Sequence, residues 1–128
     1  MLARQSPQEA YTRVDFDVRV AGADARELVA LCYEQLVSAI GSALFAEVHA
    51  DNALKSRSLT RALSAVTALS LGVRGEDGVA SALRHFYEAG RRTLLDCAVS
   101  FDPARLAALR QDVTEIAAAL RNPASALS

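Results

Sequence analysis

Two histidines, His49 and His85, are the side chains of this sequence best suited to metal binding or proton transfer. Neither has a glutamate three residues before it, so the Glu-x-x-His pairs of a di-iron helical bundle are missing. No cluster of histidine, cysteine and glutamate surrounds either one at the spacing of a zinc site. We therefore expect no metal centre.

Nucleophilic catalysis would need a serine or cysteine beside a base, and phosphate binding would need a glycine-rich loop. No such base is evident, and the GEDG sequence at 75–78 is typical of a turn. Cys32 and Cys97 stand among apolar helical positions, as small buried side chains of a reducing cytosol do. We expect free thiols, no cofactor and no enzymatic activity.

Composition narrows the possible partners of the chain. The 128 residues carry a net charge of −1, so no basic surplus points to nucleic acid. The start, MLARQSPQEAY, has no apolar core of a signal peptide, and no run approaches the roughly 18 apolar residues of a membrane span. These features predict a cytoplasmic protein with no membrane partner.

Ala and Leu dominate the chain, and apolar residues recur at steps of three and four. An aspartate stands at or near each predicted helix start, where its carboxylate can cap backbone N–H groups. The predicted helices span about 24–49, 52–72, 77–100 and 103–121. Matched lengths and short links predict an all-α, antiparallel up-and-down four-helix bundle over 24–122, with a disordered tail at 123–128.

The first helix differs from the others because it is apolar on more than one side. Its main stripe is Val29, Tyr33, Leu36, Ile40 and Leu44, and the apolar residues off that stripe are Leu28, Leu31 and Phe45. In contrast, the last helix has one narrow stripe of Leu106, Leu109, Val113, Ile116 and Leu120. Bundle neighbours cover one arc of the first helix, so another segment must cover the rest.

The sequence VDFDVRV at 14–20 alternates apolar and charged residues, which is the period of an extended strand. It predicts an arm over residues 1–23 that lays Val14, Phe16, Val18 and Val20 on the first helix, with residue 11 as anchor. Because an exposed strand edge can pair with a second copy, we expect a monomer or a weak dimer.

Together these segments resemble the flagellar export chaperone family, FliS. The residues that carry the resemblance are Tyr11, then GADAREL at 22–28, LCY at 31–33, LTRA at 59–62, FYE at 86–88, TLLDCA at 93–98 and SFDP at 100–103. The resemblance covers residues 10–122 in order.

The resemblance implies a cytosolic protein that wraps the disordered C-terminal segment of flagellin around its bundle. This binding prevents premature polymerisation and delivers flagellin to the type III export apparatus. Export components or a flagellar regulatory protein are further expected partners. The implied client-binding residues are Tyr11, Val14, Phe16, Val18, Leu28, Leu31, Tyr33, Leu59, Ala62, Phe86, Tyr87, Leu94 and Leu95.

Two alternatives stay open at this point. One is a generic helical module for protein interaction. The other is a histidine phosphotransfer domain that uses His85, although such domains favour a lysine three residues on and a glycine four residues on. This chain has Glu88 and Ala89 there, and a carboxylate would repel a phosphoryl group.

Overall fold

The computed structural model describes residues 24–121. They form α1 (Ala25–Val48), α2 (Asn52–Leu71), α3 (Gly78–Val99) and α4 (Pro103–Arg121). The predicted all-α four-helix bundle is therefore confirmed. The predicted arm, with Tyr11, Val14, Phe16 and Val18, and the predicted tail at 123–128 lie outside the described residues.

Each helix begins directly after an aspartate whose carboxylate caps it. The carboxylate accepts a hydrogen bond from the backbone N–H three residues on, at 2.8–3.1 Å, and this satisfies an N–H that has no partner inside the helix. The capping residues are Asp24, Asp51, Asp77 and Asp102. Local sequence chemistry thus sets all four helix starts.

The helices form a ring in chain order, with α1 packing on α2, α2 on α3, α3 on α4 and α4 back on α1. Short connections make successive helices antiparallel. The N-terminal ends of α1 and α3 therefore lie beside the C-terminal ends of α2 and α4. Contact between α1 and α2 is the most extensive of the four interfaces, and contact between α3 and α4 is the least.

The core departs from the predicted stripes in several helices. In α1 the alanines Ala39, Ala43 and Ala46 are fully buried, because small side chains let a second helix approach closely. In α3 the apolar spacing of the sequence predicts a core stripe that includes Val79 and Phe86, with Tyr87 beside it. Val79 is instead exposed, and Tyr87 is buried. The core cluster comprises Tyr33, Leu36, Ala39, Ile40, Ala43, Leu59, Ala62, Ala65, Val66, Leu69, Tyr87, Leu94, Cys97, Leu106, Leu109 and Val113.

Within residues 24–121, α1 is the one helix long and apolar enough to cross a membrane by length and composition. The central helix of a water-soluble bundle passes the same test. Here α1 supplies Leu36, Ala39, Ile40 and Ala43 to the core and contacts two neighbouring helices. Its apolar character is therefore explained by its place in the bundle.

A candidate partner-binding groove

A long groove runs between the first half of α1 and the last turns of α4, and it encloses about 1110 Å³. Its apolar walls are Val29, Ala30, Tyr33, Val37, Ala117 and Leu120. Polar and charged lining residues are Arg26, Glu27, Glu34, Ser38, Thr114 and Arg121. We refer to it as the α1/α4 groove.

A second cavity, of about 360 Å³, lies where α2 ends and α3 begins. It is lined by Val29, Leu69, Gly72, Val73, Arg74, Asp77, Val79, Ala80, Leu83, Tyr87 and Leu120. We refer to it as the α2/α3 pocket. Val29 and Leu120 line both cavities and are 39% and 46% exposed, so the groove and the pocket form one continuous apolar surface.

Tyr33 and Tyr87 lie between the two cavities. Tyr33 lines the groove, Tyr87 lines the pocket, and their hydroxyl groups form a buried hydrogen bond of 2.5 Å. The two rings meet edge to face, with centroids 6.2 Å apart. This contact joins α1 to α3 across the diagonal of the bundle.

Burial controls the ionisation of this tyrosine pair. It raises the pKa of Tyr33, and the hydrogen bond to Tyr87 raises that pKa further. Burial also raises the pKa of Tyr87. The hydrogen bond with Tyr33 lowers that pKa, and the nearby Cys32 raises it, so the pKa of Tyr87 is raised on balance. Both hydroxyl groups therefore stay neutral at physiological pH.

The rim of the α1/α4 groove carries charges of both signs. Arg26 and Glu27 stand at its outer end on α1, with Arg121 facing them from α4. Because these charges offset one another, the rim selects neither an acidic nor a basic partner. The groove therefore offers a partner mainly apolar contact.

Among the residues predicted to bind a client, the structure brings Tyr33 and Tyr87 together at this surface. Leu28 is half-buried, Leu31 is buried, Phe86 packs partly buried against the core, and Leu95 is exposed on α3. Buried in the core are Leu59, Ala62 and Leu94. The four arm residues Tyr11, Val14, Phe16 and Val18 lie outside the described residues.

Several residues that line the cavities are not among the predicted client-binding residues. Val29 and Leu120 belong to predicted core stripes, but the ends of α1 and α4 leave both side chains partly open. Ala30, Val37 and Ala117 also line the groove. The apolar residues on two sides of α1 indicate that part of this helix forms a surface outside the core, but they do not indicate which residues form that surface.

The two histidines, which are the side chains best suited to metal binding or proton transfer, do not line the groove or the pocket. The ring of His49 stacks on Phe45 with centroids 4.0 Å apart. His85 is exposed on α3, and one turn on Glu88 pairs with Arg91 at 3.6 Å. Within residues 24–121 no group of three or more histidine, cysteine or acidic side chains is placed to hold a metal.

Both cysteines are free thiols, as expected. Cys97 is buried and its Sγ contacts the backbone oxygen of Asp102 at 3.9 Å. Cys32 is half-buried, and burial raises the pKa of its thiol, which keeps the thiol protonated and weakly nucleophilic.

Comparison with known protein families identifies a match over nearly the whole chain. The model of a family described as flagellar protein FliS matches residues 7–125. No curated protein matches the chain significantly.

Proposed function

The chain belongs to the FliS family of flagellar proteins, and on that premise we propose that it binds the disordered C-terminal segment of flagellin in the cytosol. Binding would cover the surfaces through which flagellin polymerises and keep the subunit ready for the flagellar type III export apparatus. Export components or a flagellar regulatory protein are further proposed partners.

The observation that carries this proposal is the continuous apolar surface of the α1/α4 groove and the α2/α3 pocket. Apolar surface that remains open to solvent in a folded domain is typical of a site for a protein partner. The groove extends along α1 from Arg26 to Ser38, which is about 18 Å at 1.5 Å per residue. A helix of about three turns fits that length, and amphipathic helices bind such grooves through their apolar face.

We further propose that the N-terminal arm covers this surface when no client is bound. The chain enters α1 after Asp24, beside the groove residues Arg26 and Glu27. An extended segment of ten residues reaches about 33 Å, more than the length of the groove. The alternating apolar residues at 14–20 therefore have the reach to cover it, with Tyr11 beyond them as anchor.

A titration with the last ~50 residues of a flagellin from the same organism tests the proposed function, because that length holds several groove-binding helices. The proposal predicts binding well below 100 µM. A dissociation constant weaker than about 100 µM, or about −5.5 kcal/mol, would overturn it.

A matched pair of double variants tests the location of the site. Val29→Ser with Leu120→Ser removes the apolar walls that both cavities share and should weaken binding at least tenfold. Val48→Ser with Val99→Ser alters side chains of 82% and 90% exposure at the other end of the bundle and should leave affinity unchanged. Equal losses in the two variants would place the client elsewhere.

A further inference from the structure

An arginine lies just beyond the inner end of the α1/α4 groove. Arg110 lies on α4 one turn before Thr114, and Gly41 lies on α1 one turn beyond Ser38. The guanidinium carbon of Arg110 is 3.6 Å from the point where a Cβ on Gly41 would stand. Because Gly41 has no side chain, the guanidinium group lies directly against α1.

This guanidinium group has no acidic partner in the part of the chain that the structure describes. No side chain within residues 24–121 forms an ion pair with Arg110, which is exposed to solvent. An exposed guanidinium group carries five N–H donors that water can satisfy. A segment that covers it must offer acceptors of its own.

We propose that Arg110 binds the carbonyl end of a partner helix lying in the α1/α4 groove, and so fixes the direction of that helix. This inference rests on the proposed function and deepens it. The last four carbonyl groups of any helix have no partner inside the helix and carry a partial negative charge. The positively charged guanidinium group of Arg110 is opposite to them in sign, and its N–H groups are donors where they are acceptors.

The direction follows from the position of Arg110 along α1. A helix whose C-terminal end meets Arg110 has its N-terminal end near Arg26 and runs parallel to α1. The outer end of the groove carries Arg26, Glu27 and Arg121, and these mixed charges do not oppose this direction. The expected occupant is an amphipathic helix of about 12 residues, since 12 residues span about 18 Å.

Titrations of three variants with the same flagellin segment test the role of Arg110. Arg110→Gln should weaken binding about tenfold and reduce its dependence on salt, because hydrogen bonds from a charged group are stronger than neutral ones. Arg110→Lys keeps the charge and should retain most of the affinity. Arg92→Gln, which alters an exposed arginine on α3, should have no effect. Thermal melting of each variant ensures that affinities are compared between folded proteins.

The outcomes separate the two proposals. If the unaltered protein does not bind the flagellin segment, the proposed function and this inference both fail. If the unaltered protein and the Arg110→Gln variant bind equally well, only the inference fails.

Nitroxide labels placed along the flagellin segment test the direction by paramagnetic broadening of backbone amide signals. Among the labels that broaden amide signals of groove residues, those nearer the C-terminal end of the flagellin segment should broaden the signal of Gly41. Labels nearer the N-terminal end of the flagellin segment should broaden the signal of Val29. The opposite order would overturn the proposed direction.

Discussion

The hydroxyl oxygen of Tyr33 lies 2.5 Å from that of Tyr87, and this hydrogen bond links two helices that face each other diagonally across the bundle. The ion pairs between neighbouring helices, Lys55–Glu47 and Arg105–Asp96, lie at the surface. Tyr33 and Tyr87 instead form a polar contact inside the core, at the boundary between the groove and the pocket. The pair thus belongs to the core and to the proposed binding surface together.

Removing one hydroxyl group of this pair should destabilise the protein. Tyr33→Phe leaves the buried hydroxyl group of Tyr87 without a partner, at a cost of about 1–3 kcal/mol in the free energy of unfolding. The double variant Tyr33→Phe/Tyr87→Phe should recover part of that loss, because neither side then holds an unpaired polar group. Denaturant unfolding measures both, and a double variant less stable than the single one would contradict the argument.

High pH should destabilise the protein through the same tyrosines. Their pKa values are raised in the folded state, so the stabilising effect is complete below the ordinary pKa of about 10 and is lost as the pH rises above it. Each tyrosine should contribute a loss of up to about 1.4 kcal/mol per pH unit. Urea unfolding at pH 8.5, 10 and 11 should show a smaller loss for Tyr33→Phe/Tyr87→Phe than for the unaltered protein.

Ser58 offers a stabilising substitution. It is fully buried in α2, and its Oγ has no hydrogen-bond partner. Ser58→Ala should raise the free energy of unfolding by about 1 kcal/mol beyond the gain from helix propensity. Ser64→Ala, at an exposed position of the same helix, measures that propensity gain alone. Equal effects at the two positions would show that the buried hydroxyl group carries no cost.

Ala50 has a left-handed backbone conformation that favours glycine. It has φ of 54° at the end of α1, and the N–H of Asp51 donates to the carbonyl of Ala46 at 2.9 Å, as in a helix end that favours glycine. Ala50→Gly should stabilise the protein by about 1 kcal/mol, and Ala50→Val should destabilise it. Thermal unfolding of the two variants checks the opposite signs.

Deleting residues 1–20 tests the proposed covering arm. The bundle should remain folded by circular dichroism, because the described core is formed within residues 24–121. Its apolar groove should then bind a hydrophobic dye or cause self-association. Unfolding of the shortened chain would instead make the arm a part of the core.

Features determined by neighbouring residues could be predicted from the sequence. The caps at Asp24, Asp51 and Asp77 depend on contacts three residues apart, so local patterns predict them well. The apolar stripe of α4 likewise predicts core positions, and its members Leu106 and Val113 are both fully buried.

Features that depend on how the helices meet could not be predicted. Val29 and Leu120 continue apolar stripes in the sequence, yet the ends of α1 and α4 leave them at the wall of a groove. Similarly, Tyr87 differs from the expected core residue Phe86 by one position, and helix rotation decides which of the two is buried. The placement of Arg110 against Gly41 joins two distant parts of the chain, and no local pattern encodes it.

The three fully buried alanines of α1 have a mechanical consequence. Ala39, Ala43 and Ala46 all lie in the second half of the helix, where close packing resists displacement. The first half borders the groove and the pocket. We therefore expect the first half of α1 to be displaced more easily than the second half, and most of the tightly packed interior to keep its shape when it is.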